Sequence, residues 1–270
     1  MNSTAYNLDT DAPHVWARHS PPYASTFSGG LLEFKLSDGP SGGIPLADVR
    51  ALHGAVCELI GQEKVPYQSG KTSNGHPDIF FLLWPYSTGW ALYSPCEATI
   101  KFLAGKTRRI HVFQKQTGIA FASTPVRLRA PGPVEPGIYQ TTVKTLTPIV
   151  VRNHKKTTAL RDKLSYHSLN AACFRGSLVS NLAHTRLGAD VPQDSIAIRV
   201  VRESSEPATV NVGGFKWGAR GVVHGVVGEA TLQTNAVGLW LLECAKRIGM
   251  GGRVSIGFGR VDLSDTQKIG

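Results

Sequence analysis

Paired cysteines, metal-ligand spacings and long apolar runs are all missing from this chain of 270 residues. Its four cysteines, Cys57, Cys96, Cys173 and Cys244, lie far apart and form no CxxC pair. That removes both a zinc-site spacing and a disulfide framework. Apolar runs such as 79–84 are much too short to span a bilayer, so no membrane partner is expected. Residues 1–28 are polar, carry Asp9 and Asp11, and lack the positive start and apolar stretch of a signal peptide. A reducing, cytoplasmic setting is the expectation. There is no GxSxG elbow, no Walker-type phosphate loop and no histidine pair in a metal-binding context. Neither a metal nor a cofactor is expected.

Acidic charge is also scarce. Against 19 Asp+Glu stand 29 Lys+Arg, for a net charge of +10 and a pI near 9.6. Such a balance says nothing about fold but favours an anionic partner, most commonly a nucleic acid. Hydrophobic residues at 41% and charged residues at 18% suit a globular chain with cores of ordinary size.

Residues 1–29 are rich in Ser, Thr, Pro and Asp and read as an extended arm. Residues 30–36 alternate as a half-buried strand does. From Pro45 to about Gly61, Val49, Leu52, Val56, Leu59 and Ile60 recur at helical spacing. Strand-like runs follow at 78–84 and 89–93, then a short helix at 96–104 and a strand at 108–113, with 118–129 extending the sheet. Strand, helix, strand, strand, helix, strand is the order of a ferredoxin-like unit. Residues 130–137, APGPVEPG, hold three prolines and two glycines and read as a linker. After it come a strand at 138–151, a basic helix-compatible stretch at 155–187, a strand at 196–202 and a hairpin or meander at 210–234. Asn235 caps a helix from Ala236 to Ile248, Gly249 ends it, and residues 254–263 return as a strand. The order repeats without visible sequence repetition. The expected domains are therefore 30–129 and 138–270.

Five glycines fall in residues 249–259: Gly249, Gly251, Gly252, Gly257 and Gly259. A dinucleotide fingerprint needs such glycines after a strand and before a helix, and here the order is reversed. Two readings stay open. One is a plain flexible connection. The other is a backbone-binding loop for RNA, whose amides and Arg253 hold phosphates.

A helix, then this GxGxxxxxGxG pattern, then a strand resembles the signature of the RAMP superfamily. It is most similar to the CRISPR-associated endoribonucleases that process precursor CRISPR RNA, the sixth Cas family. Thr145-Leu146-Thr147-Pro148-Ile149-Val150, similar to a TLSPI-type strand of that family, and the paired strands at 78–95 agree. The resemblance implies an α+β fold of two tandem ferredoxin-like (RAMP- or RRM-like) units, with the basic helical stretch at about 155–187 as an insertion in the second. It also implies a metal-independent endoribonuclease that binds the CRISPR repeat hairpin, cleaves precursor crRNA by 2′-hydroxyl attack and stays bound. The alternative is a non-catalytic RNA-binding subunit of a CRISPR effector complex, with other Cas subunits as partners.

Such cleavage needs a base for the 2′ proton, a cation near the phosphorane and a donor for the leaving 5′-oxygen. Members of the family place a histidine on the first helix or in the loop after it. His53 and His76 occupy those two places, and Arg253 is the cation. One departure stands out: Cys57 sits where some members carry a tyrosine. Two basic groups are candidates for phosphate contacts, although charge runs are commonly just solvated faces. The first is Lys106, Arg108 and Arg109, with Lys101 nearby. The second is Arg152, His154, Lys155, Lys156, Arg161, Lys163, Arg175 and Arg186.

Overall fold

The computed structural model describes residues 28–37, 49–60, 82–86, 89–94, 97–112, 115–151, 168–187, 191–212 and 221–270. Among them, ten strands form two antiparallel sheets. In the first, β1 (Ser28–Leu36) is central. It pairs on one side with β3 (Gly89–Ser94), which pairs with β2 (Leu82–Tyr86). On its other side it pairs with both β5 (Lys115–Phe121) and β6 (Val126–Arg129). β4 (Thr107–Val112) pairs only with β5 and forms the edge, giving the order β2-β3-β1-β5-β4.

This corrects one expectation. The strand after the second helix closes a ferredoxin-like sheet beside the first strand, and residues 108–113 were the expected occupant. β5 and β6 take that place instead. Ile119 and Phe121 of β5 are buried, with Phe121 tilted on Phe34 of β1 at 5.3 Å between ring centroids. β4 buries Ile110 alone among its described side chains and exposes Thr107, Arg108, Arg109 and His111, so it suits a wet edge. Two helices, α1 (Val49–Ile60) and α2 (Glu97–Leu103), pack on one face. Val49, Leu52 and Val56 of α1 are fully buried, each worth roughly 1.5–3 kcal/mol in area removed from water.

The second sheet has the order β10-β7-β9-β8: β7 (Ile138–Thr145), β8 (Ile198–Val212), β9 (Gly221–Asn235) and β10 (Val261–Lys268). This is the ferredoxin-like order undisturbed. α3 (Ala171–Arg175) starts where the Asn170 side chain accepts from the Cys173 N–H at 2.9 Å. It runs on in π-helical turns over Gly176–Leu187. Cys173, Phe174, Leu178, Val179, Leu182 and Ala183 are all buried there, so this stretch is the crossover helix of the second fold itself. The rest of the basic stretch, 152–167, lies outside the described residues. α4 (Ala236–Ile248) begins at Asn235, whose side chain accepts from Gly238 N–H at 3.0 Å, and ends at Gly249. The strand expected over 254–263 is divided: Val254–Ile256 is a single 3-10 turn, and β10 starts only at Val261. Positive φ at Gly257 and Gly259 breaks the extended run, and the alternating Val254, Ile256 and Phe258 mark a buried turn.

The two cores exchange residues. Val212 and Val223 at the far end of the β8–β9 ribbon, with Ile256 and Phe258, enter the core under α1 and α2. Leu31, Ala91 and Tyr93, on the open face of the first sheet, enter the core around α4.

Candidate functional site

α1 sets His53 beside its apolar stripe, and the imidazole is 6% exposed. Burial, and secondly the guanidinium of Arg50, lower the pKa of His53 to about 4. Arg50 stands one turn earlier, the spacing at which helical side chains meet. Its own pKa is lowered by burial and then by the charge of Arg253. Arg253 arrives from the glycine-rich segment, whose 3-10 turn packs against α1. Two expected site residues, His53 and Arg253, are thus linked through Arg50, which feels the charge of Arg253 and acts on His53. Sequence reasoning missed Arg50; its position three residues before His53 was the available signal.

The glycines explain how Arg253 is held. Gly249, Gly251, Gly257 and Gly259 have φ of 78°, 75°, 85° and 73°. A Cβ on Gly251 would stand 2.8 Å from the carbonyl oxygen of Val150, and one on Gly259 would collide with the carbonyl of Met250. The segment is zipped onto residues 148–150: Gly252 N–H donates to Val150 O at 2.6 Å, and Gly259 N–H to Pro148 O at 2.9 Å. Met250 N–H closes the loop on Gly259 O at 2.8 Å. Arg253 itself has φ 62°, a left-handed conformation costing a non-glycine residue on the order of 1 kcal/mol. The buried Val254, Ile256 and Phe258 that follow offset it.

This alters the reading of the segment. The amides of Gly249, Gly252, Gly257 and Gly259 donate to Ala245, Val150, Val254 and Pro148 within the protein. Gly249, Gly251, Gly257 and Gly259 are buried. These glycines therefore do not form the exposed phosphate cradle expected of them. They permit close backbone approach, and Arg253 is the exposed group they display. The Thr145–Val150 stretch and the glycine pattern, separate in sequence, are two halves of one joint.

The remaining candidates are dispersed. Lys106 lies 3.3 Å above the ring of Phe102. Arg108 shares a face of β4 with the buried Ile110, toward the helices, while Arg109 faces the other way. The first basic group is thus split between two faces. Arg175 is half-buried, with its Nε unpartnered, and burial lowers its pKa. His76, Arg152, His154, Lys155, Lys156, Arg161 and Lys163 lie outside the described residues. Cys173 and Cys244 are free and buried, and burial pushes both thiols up to about 12, leaving them unreactive. No helix among the described residues is long and apolar enough to cross a membrane.

Residues 133–263 match the family model described as CRISPR associated protein Cas6, C-terminal. That span of the chain is similar to the C-terminal part of Cas6 proteins. The matched span includes the glycine joint and Arg253; His53 and Arg50 precede it. A comparison with curated protein sequences gives no match. Among solved structures, the chain is similar to a Cas6 product complex at 12% identity and a TM-score of 0.55, covering 88% of this chain and 100% of that one. It is similar to an RAMP protein binding different RNA substrates at 15% identity and a TM-score of 0.53, with coverage of 88% and 100%. A Cas6-related protein from Pyrococcus furiosus aligns at 16% identity and a TM-score of 0.51, covering 88% and 99%. These are likenesses of fold, and they identify the paired sheets as the double ferredoxin-like fold of Cas6 and RAMP proteins.

Proposed function

We propose that the chain binds the hairpin of a CRISPR repeat transcript, cuts it without a metal and keeps the product. The observation that carries this reading is the seating of the glycine joint against α1, with Arg253 acting on Arg50 and Arg50 on His53. An imidazole with one guanidinium beside it and a second close to the first suits a phosphate undergoing attack by its neighbouring 2′-hydroxyl. His53 or His76 takes the 2′ proton, the O2′–P bond forms, and the P–O5′ bond breaks. The leaving 5′-oxygen takes a proton from water or from the histidinium just formed. Arg253 faces the charge that gathers on the phosphorane. A neutral His53 is the base form at pH 7, and a phosphate bound at the arginines raises its proton affinity toward the useful range. The acid limb of kcat/KM, which reports the free enzyme, then falls near pH 4 if His53 is the base.

The test is a labelled repeat RNA incubated with the protein in EDTA. Cleavage to a 2′,3′-cyclic phosphate, lost in His53→Ala or in His76→Ala with binding retained, supports the proposal. Full cleavage by both variants overturns the histidine assignment. One observation favours the second reading, a non-catalytic RNA-binding subunit: His53 is nearly buried, as a structural histidine would be. Tight binding with no cleavage by the unaltered protein decides for that reading.

A further inference from the structure

Among the described residues, the open face of the first sheet is covered only at one end, where Leu31, Ala91 and Tyr93 enter the second core. Toward the other end, the strand register sets out an exposed surface in rows. Lys35, Ala120 and Thr107 stand side by side across β1, β5 and β4. Ser37, Gly118 and Arg109 form the next row, with Ser37 N–H donating to Gly118 O and Gly118 N–H to Ser37 Oγ, both at 2.9 Å. Gln116 and His111 form the last.

β5 therefore lays a floor of small residues, Gly118 and Ala120, between taller walls. Lys35 rises on the β1 side, and Arg109 and His111 on the β4 side, all exposed. The walls are two inter-strand spacings apart, roughly 10 Å. The rows span about 14 Å along the strands. None of the ion pairs among the described residues includes Lys35, Arg109 or His111. Arg109 makes one long side-chain contact, 3.5 Å to Gln116 Oε1. One acid, Glu33, shares the face, one row toward the covered end.

The occupant follows from this chemistry. Walls that carry Lys35 and Arg109, with the single acid Glu33 one row away, call for an anionic chain. A trough two strand-spacings wide admits a single extended strand and not a duplex. Its exposed side chains are polar or small, which speaks against a protein interface with an apolar centre. No Phe, Tyr or Trp belongs to the three rows of the trough, so the grip there falls on phosphates and not on stacked bases. Adjacent positions on β4, Arg108 toward α1 and Arg109 toward the trough, carry positive charge around the sheet edge. α1, with His53, packs against β4. A nucleic-acid strand leaving the His53 side over that edge enters the trough.

We propose that this trough holds the single-stranded flank of the RNA whose hairpin is engaged on the α1 side. It is a second phosphate-binding site on the opposite face of the same sheet. The inference rests on the RNA-binding reading given above. It is tested with three RNAs (the hairpin alone, and the hairpin with an unpaired extension on its 5′ or its 3′ side), each titrated at several salt concentrations. The proteins are the full chain, Lys35→Gln and Ala120→Glu, both at exposed positions, with folding checked by circular dichroism. One of the two extensions is expected to tighten binding by the unaltered chain. Both variants lose that gain severalfold while the ratio to the hairpin alone moves toward one. The salt slope for the extended RNA falls by about 0.7 in Lys35→Gln, the value for one phosphate contact on a single strand. An extension gain that is absent, or that persists in both variants, overturns the trough and leaves the hairpin reading standing. An unaltered chain that binds none of the RNAs overturns the hairpin reading itself.

Discussion

α1 and α4 face water very differently. α4 buries ten of its thirteen residues, because the second sheet lies on one side of it and Leu31, Ala91 and Tyr93 of the first sheet lie on another. α1 buries a stripe and leaves Arg50 half-buried and Glu58 exposed. The helix held on two sides carries the scaffold, and its glycine-rich exit is what the family match covers. The helix with the less complete cover carries the titratable group. The segment similar to a known family and a candidate for chemistry thus sit on separate halves, joined where the 3-10 turn meets α1.

The largest expected effect tests that union. Phe258 belongs to the second half but is fully buried in the first core, so Phe258→Ala should cost about 3–5 kcal/mol. Urea unfolding followed separately by tryptophan fluorescence and circular dichroism should show one shared transition, moved to lower urea. Two separate transitions, with only one of them moved, would break the picture of exchanged cores.

A smaller effect concerns the less covered helix. His53 titrates at about 4 in the folded chain against about 6.5 unfolded. The unfolded state therefore binds the proton first as pH falls. The stability contributed by a neutral His53 is complete above pH 6.5 and is lost as pH drops from 6.5 through 4. The gap corresponds to about 3 kcal/mol. Urea midpoints between pH 7 and 4 should decline more steeply in the unaltered chain than in His53→Gln; equal slopes would place His53 in water.

The smallest effect has the opposite sign. Gly54, in α1, has open space where a Cβ would stand, so Gly54→Ala should raise stability by about 0.5–1 kcal/mol. A loss instead would show that α1 is packed as closely there as α4 is. The measurement is the shift in thermal midpoint.

Local chemistry was legible in the sequence. Asn235 and Gly249 bounded α4 to the residue, since a side-chain cap and a positive φ are properties of single positions. Pairing was not. Nothing in Lys115–Phe121 announces that it would displace β4 from the side of β1, because that choice is made by Phe34 and Phe121 meeting across strands. The candidate site divided in the same way. His53 and Arg253 were visible as residue types in a family pattern. Their link through Arg50 depended on Pro148–Val150 clasping the glycine segment, a contact about a hundred residues apart in the chain. Lys35 went unnoticed for a related reason: its neighbours across the sheet are set by register alone.

The β8–β9 ribbon has a consequence for how the chain is made. Its far end, with Ile256 and Phe258, supplies part of the core under α1 and α2. A growing chain finishes the strands of the first sheet at Arg129 and then waits for Val212, Val223 and finally Phe258 before that core can close. The core of the half synthesised first thus waits on residues of the second, and it stays open to solvent and to chaperones until Phe258 has left the ribosome.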